Sequence, residues 1–155
     1  FNGQLQLTPV DGIVLPAIAM TSDKDQCSFL NEAGRCSIHM FRPGFCRLFP
    51  LGRVYDGTGF SYFLQTGQCK KEHLAKVKVR QWINIPELKR YEQFVCDWHY
   101  FLKDLAKASQ GLSPELIKTL HSYILKVFYL TPYQDGSDFY DQFYMRLNDA
   151  KKLFL

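Results

Sequence analysis

Between residues 84 and 155, apolar side chains recur at steps of three and four, the interval that gathers them on one face of an α-helix. Leu88, Tyr91, Phe94, Trp98, Phe101, Leu102 and Leu105 form a first such series, and its face is wide and strongly aromatic. Asn84 is placed to cap this helix, which is expected to start near Pro86. Gly111 breaks the pattern, and Ser113-Pro114-Glu115 reads as a cap followed by proline at the first helical position, leading into Leu116, Ile117, Leu120, Ile124, Val127 and Phe128. Thr131-Pro132 stops that helix. Gly136-Ser137 opens a third, with Phe139, Phe143, Leu147, Ala150 and Phe154 near one face.

The preceding residues follow no such rhythm. Turn signals recur at Asp11-Gly12, Ala33-Gly34, Arg42-Pro43-Gly44, Asp56-Gly57 and Thr66-Gly67. Short strands are expected at Gly12–Leu15, Phe60–Gln65 and Lys76–Val79, the last from Val77 and Val79 alternating with Lys76 and Lys78. No helix of ordinary length fits there. The chain therefore reads as one α+β domain over residues 1–155. Its irregular, cysteine-rich half (1–83) has little core of its own and would gain from a metal staple, and it packs on about three C-terminal helices (84–155).

Composition narrows the class. A chain of 155 residues has the size of one domain and can bury a real core, so no disulfide framework is needed to hold it together. With 46% apolar and 22% charged residues, disordered and collagen-like readings fall away. There is no apolar run long enough to span a bilayer, and the start at Phe1-Asn2-Gly3-Gln4 lacks the basic and apolar stretches of a signal peptide. The expectation is a cytoplasmic protein without a membrane partner. An opening Phe in place of Met implies a chain that is processed or lacks its true beginning.

The net charge of +4 is uneven: residues 1–80 carry ten Lys/Arg against six Asp/Glu, whereas 81–155 carry nine against nine. The positive residues are scattered and no nucleic-acid module accompanies them, so nucleic acid is not the expected partner. The excess instead shares its half of the chain with four of the five cysteines, where arginines would offset the charge that thiolates leave around a dication.

Cys27, Cys36, Cys46 and Cys69 are separated by eight, nine and twenty-two residues, while Cys96 stands alone inside the aromatic helix and reads as a packed core thiol. Five cysteines without an export signal argue against structural disulfides. Thiolate is the soft ligand that selects zinc, copper(I) or iron–sulfur clusters, and four of them satisfy either a tetrahedral zinc or a four-iron cluster. None of the gaps is as short as a zinc knuckle, so spacing alone leaves two readings open: a four-cysteine metal site, or thiols packed as small hydrophobes.

The run Cys27-Ser-Phe-Leu-Asn-Glu-Ala-Gly-Arg-Cys36-Ser-Ile-His39-Met-Phe-Arg42-Pro43-Gly-Phe-Cys46-Arg47-Leu-Phe49-Pro50-Leu-Gly-Arg53 is more specific. It resembles the signature of the bacterial zinc- or iron-chelating CxxCxxCC family, also called YkgJ-like. There a cysteine, a Gly-Arg-Cys-Ser-Ile-His run and an Arg-Pro-x-x-Cys-Arg-x-Phe-Pro run follow one another, and the downstream cysteine matches Cys69. The likeness extends through Trp82 towards Asp97-Trp98-His99. The resemblance implies a metal-binding protein that holds zinc or an iron–sulfur cluster through Cys27, Cys36, Cys46 and Cys69. The chain departs from the family in having no cysteine before Cys27, where the eponymous Cys-x-x-Cys-x-x-Cys-Cys cluster would stand. A chain carrying that cluster would share the site with it. A related cysteine-rich module occurs in flagellin lysine N-methylases, but no S-adenosylmethionine loop is recognisable here.

Around these ligands, His39 is a candidate ligand or outer partner, and Arg42 and Arg47 are candidates to neutralise the site or donate to sulfur. Arg53 serves that role or a solvated loop face equally well. Trp82, Tyr91, Trp98 and His99 are candidates for a pocket or for core, and His73 and His121 for surface positions. Three functions remain: a metal-binding protein, a cluster-dependent enzyme of methyl or electron transfer, and a structural or interaction module with a structural zinc whose working surface is the aromatic helical half. No phosphate loop, nucleophile elbow, His-Glu-x-x-His or Cys-x-x-Cys redox pair is present.

Overall fold

A computed structural model describes residues 3–21, 26–68 and 75–155. These contain both helices and two small antiparallel sheets, an α+β composition. The chain groups into two units, one of Phe1–Ser37 with Trp98–Leu155, the other of Ile38–Asp97.

The first unit opens with a hairpin of β1 (Leu5–Val10) and β2 (Ile13–Ile18), in register Val10↔Ile13 through Leu5↔Ile18. Its two-residue connection is Asp11-Gly12, with φ of 49° and 86°, the pair of positive values that a type I′ turn demands. Glycine reaches that region without strain and aspartate tolerates it, so the turn signal is realised in backbone geometry. The remainder of the unit is the C-terminal part of α3 (Leu88–Ala108), α4 (Pro114–Ile124), a π-helical continuation at Leu125–Leu130, and α5 (Phe139–Phe154). Ser113 caps α4 by accepting from the Leu116 N–H at 3.4 Å, and Asp138, two residues beyond the expected opening, caps α5 by accepting from Asp141 N–H at 3.0 Å.

The helical periodicity becomes this unit's core. Phe101, Leu105, Leu120, Ile124, Phe128, Phe143, Leu147 and Ala150 are buried together with Ile13 and Leu15 of the hairpin. Trp98 stacks among them, its ring 4.7 Å from Phe128, 5.6 Å from Phe101 and 5.8 Å from Phe143 by centroid. Trp98 is therefore half-buried against the core. His121 is half-buried and ties the hairpin turn to α4 through Nε2 and the Gly12 carbonyl at 3.0 Å. Arg146 closes the end of the π-helical segment. Its Nη1 donates to the carbonyls of Val127 and Thr131, at 2.6 and 2.9 Å, and its Nη2 to Pro132 at 2.7 Å, with the guanidinium 3.9 Å above the Tyr133 ring.

The second unit contains a 3₁₀ turn (His39–Phe41), α1 (Gly44–Leu48), a hairpin of β3 (Leu51–Tyr55) and β4 (Phe60–Leu64), α2 (Val79–Ile83) and the first half of α3. Both helices besides α3 are five residues long, in keeping with the expected lack of ordinary helices. Lys76–Val79 is not a strand: residues 75–78 are irregular and Val79 begins α2. The alternation there has no neighbouring strand among the described residues to make it a ladder. Asn84 also plays the opposite part from the one expected. With φ 48° and ψ 49° it ends α2 in the left-handed conformation, its N–H bonding to the Arg80 carbonyl, and α3 starts at Leu88.

Candidate metal centre

Cys27 and Cys36 lie in one short, tightly bonded loop of the first unit. Cys27 pairs with Met20 and Cys36 with Leu30, each as an isolated antiparallel bridge. The Cys27 carbonyl accepts from Leu30 N–H at 3.0 Å, so the residue opposite Cys36 is also the residue that closes the turn from Cys27. The loop between them is set by Asn31, which exchanges backbone bonds with Arg35 and Gly34 while its side-chain oxygen accepts from Arg35 N–H at 2.9 Å. Gly34 takes φ of 68°, the left-handed geometry that the Ala33-Gly34 signal anticipates. Ser37 then fastens the turn after Cys36 to the Phe29 carbonyl, through its N–H at 2.8 Å and its hydroxyl at 3.0 Å.

Cys46 belongs to the second unit, in the middle of α1, where its N–H bonds to the Pro43 carbonyl at 3.0 Å. This turn is fastened from several sides. Arg47 donates through Nε to Arg42 O (3.2 Å), through Nη1 to Asn84 O (3.3 Å) and through Nη2 to Met40 O (3.4 Å). One side chain thus ties the 3₁₀ turn, the start of α1 and the end of α2 together. Trp82 adds a bond from Nε1 to Phe49 O at 3.0 Å. On the other flank Gly44 lies against Tyr91 of α3: a Cβ at position 44 would fall 2.6 Å from the ring Cζ and 2.8 Å from Cε2. Tyr91 is itself held by Arg53, whose Nη2 donates to its hydroxyl at 3.0 Å and whose guanidinium lies 5.1 Å from the Phe60 ring centre. His39 is exposed in the 3₁₀ turn.

The structure therefore gathers Cys27 with Cys36 in one loop, and Cys46 with Arg42, Arg47 and His39 in one turn. Cys69 and His73 lie outside the described residues. Among the described residues, no three His, Cys, Asp or Glu side chains stand together as a metal site. Cys27, Cys36 and Cys46 are half-buried, and the thiols of Cys27 and Cys36 are free, a state that suits soft-metal ligation better than a disulfide framework does. Cys96 differs. It is buried, its thiol is pushed up by that burial and then by Asp97 and Asp56, and its sulfur lies 3.8 Å from the Thr58 carbonyl.

Two further observations fit a metal. The Nε of Arg42 is shielded from solvent and donates to no described group. In addition, the second unit is weakly cored: among the described residues Ile83 and Cys96 are its buried apolar side chains, while Met40, Phe41, Phe45 and Phe49 are 77, 85, 58 and 52% exposed. An ion held by thiolates would supply the cross-link that this sparse core lacks. Gly44 is foreshadowed as part of the Arg42-Pro43-Gly44 turn signal, and Trp82 and Tyr91 as candidates for a pocket or core, but the approach of Gly44 to Tyr91 and the bond from Trp82 to Phe49 have no local sequence signal.

The same stretch is recognised by comparison with known families, in a match that runs over residues 10–82. The matching model is that of the CxxCxxCC family. The family is described as "Putative zinc- or iron-chelating domain". The matched segment contains Cys27, Cys36, Cys46 and Cys69, together with His39, Arg42, Arg47 and Arg53. No curated protein and no solved structure matches the chain. Among the described residues no helix is long and apolar enough to cross a membrane.

Proposed function

We propose that the chain is a cytoplasmic metal-binding protein in which Cys27, Cys36, Cys46 and Cys69 hold a zinc ion or an iron–sulfur cluster. The observation that carries this reading is the conjunction of half-buried cysteines in a segment that matches a zinc- or iron-chelating family with a second unit that has little apolar core among the described residues. The metal supplies a cross-link between loops that their own packing does not provide. Residues 1–83 are the metal-holding half and residues 84–155 the helical support. Arg42 offsets the negative charge of the thiolates, and Arg47 fixes the turn that presents Cys46. His39, exposed beside that turn, is an accessory ligand or an outer partner of the ligands.

A second role is favoured by the exposed Met40, Phe41, Phe45 and Phe49 next to the Cys46 turn. That apolar surface supports a structural metal beneath an interaction face over a cluster-dependent methyl-transfer or redox enzyme.

Chelation tests the proposal. Stripping the ion from the purified chain should abolish amide protection around Cys27–Arg53 at temperatures where α4 and α5 stay protected, as hydrogen exchange would show. Protection in that segment that is indifferent to chelator argues against it.

A further inference from the structure

Arg42 and Arg47 flank Cys46 and look equivalent in sequence, yet the fold treats them differently. Arg47 spends its Nε and both terminal nitrogens on the carbonyls of Arg42, Asn84 and Met40. It is a staple of the loop. Arg42 contributes its carbonyl to that staple, while its own Nε is shielded from solvent without a hydrogen-bond acceptor among the described residues.

A buried N–H of a charged group without an acceptor is costly, and such a group calls for an explanation. No carboxylate is nearby in sequence to provide one. From Ala33 to Tyr55 the chain carries Arg35, Arg42, Arg47 and Arg53 and no Asp or Glu. Within that stretch the anion that the chain can generate is a thiolate. Arg42 and Cys46 are four residues apart across the turn that the Cys46 N–H closes on Pro43. A metal ligand is bound as thiolate, and its sulfur accepts hydrogen bonds from surrounding donors that orient it and tune the ion.

Resting on the metal-binding reading above, we infer that Arg42 is a positioning residue whose Nε–H donates to the metal-bound thiolate of Cys46. In the metal-free chain that donor is a burden, and in the loaded chain it is satisfied. The two arginines then separate by experiment. Arg42→Met should leave the metal-free chain at least as resistant to urea as the parent, while weakening zinc(II), measured by competition with a chromophoric chelator, by roughly 10- to 100-fold, the usual effect of losing such an outer partner. Arg42→Lys keeps the charge but lacks the Nε–H, so it should stay weakened. Arg47→Met should lower the urea resistance of the metal-free chain.

Unchanged zinc affinity in Arg42→Met, full affinity in Arg42→Lys, or a loss of metal-free stability in Arg42→Met that matches its loss of affinity would each overturn the inference while the metal reading stands. A parent chain that takes up neither zinc(II) nor iron(II) overturns both.

Discussion

Replacing Gly44 by alanine tests how the Cys46 turn is held, because the sign of the effect depends on one neighbour. Gly44 opens α1, and in an exposed helix Gly→Ala would stabilise by about 0.5–1 kcal/mol through reduced chain entropy. Here the new methyl overlaps Tyr91, at 2.6 Å from Cζ and 2.8 Å from Cε2. The ring must move, and overpacking of this kind costs about 1–3 kcal/mol. Moving it also weakens the 3.0 Å bond from Arg53 to the Tyr91 hydroxyl, and hydrogen bonds to charged groups contribute about 1.5–3 kcal/mol, taken at the low end for a half-buried pair. The net expectation is destabilisation by about 2 kcal/mol, or a melting point lower by about 4–8 °C in a chain of this size. Urea denaturation of a double-mutant cycle isolates the cause. In a Tyr91→Ala background the obstacle is gone, so Gly44→Ala should become neutral or stabilising. An equal penalty in both backgrounds would refute the contact with Tyr91 as the reason for glycine at this position.

Arg146→Met removes the donor to three carbonyls and the stack on Tyr133; given bonds of 2.6–2.9 Å, it should cost about 3 kcal/mol in urea denaturation, and a cost below about 0.5 kcal/mol would contradict the capping role. Tyr62, raised from 10.0 to about 12 by burial and by its bond to Glu92, contributes stability that is complete below pH 10 and is lost as pH rises through about 12. Tyrosinate absorbance should therefore show a late component that Tyr62→Phe diminishes, and a titration unchanged by that substitution would count against it. Cys96, buried and with its thiol pushed up, should be alkylated by iodoacetamide more slowly than Cys27, Cys36 or Cys46 in the folded metal-free chain; equal rates would contradict its placement.

The helical packing was legible because burial repeats with the helix. Phe101 and Leu105, Leu120 and Ile124, and Phe143 and Leu147 are spaced by one turn and all reach the core. The ends were less so. Asn84 serves equally well at a helix start or in a left-handed stop, and only the α2 turn before it decides between them. Strands β1 and β3 carried no usable alternation, since β1 lies in a two-stranded hairpin with nearly every residue exposed. For the candidate site, the family signature pointed to the cysteines. It did not reveal that Arg47 is consumed by backbone carbonyls, that Arg42 is left with a buried donor, or that Tyr91 comes from another element to press on Gly44. Those are long-range relations, and no local pattern encodes them.

The most direct measurement is metal analysis of the anaerobically purified chain, with a visible spectrum, beside variants in which Cys27, Cys36, Cys46 and Cys69 are each replaced by serine. Stoichiometric zinc in a colourless sample, or iron with sulfide in a brown one, is expected, falling in each of the four variants and persisting in Cys96→Ser. A parent chain free of both metals, or a metal content that none of the four serines alters, would contradict the account.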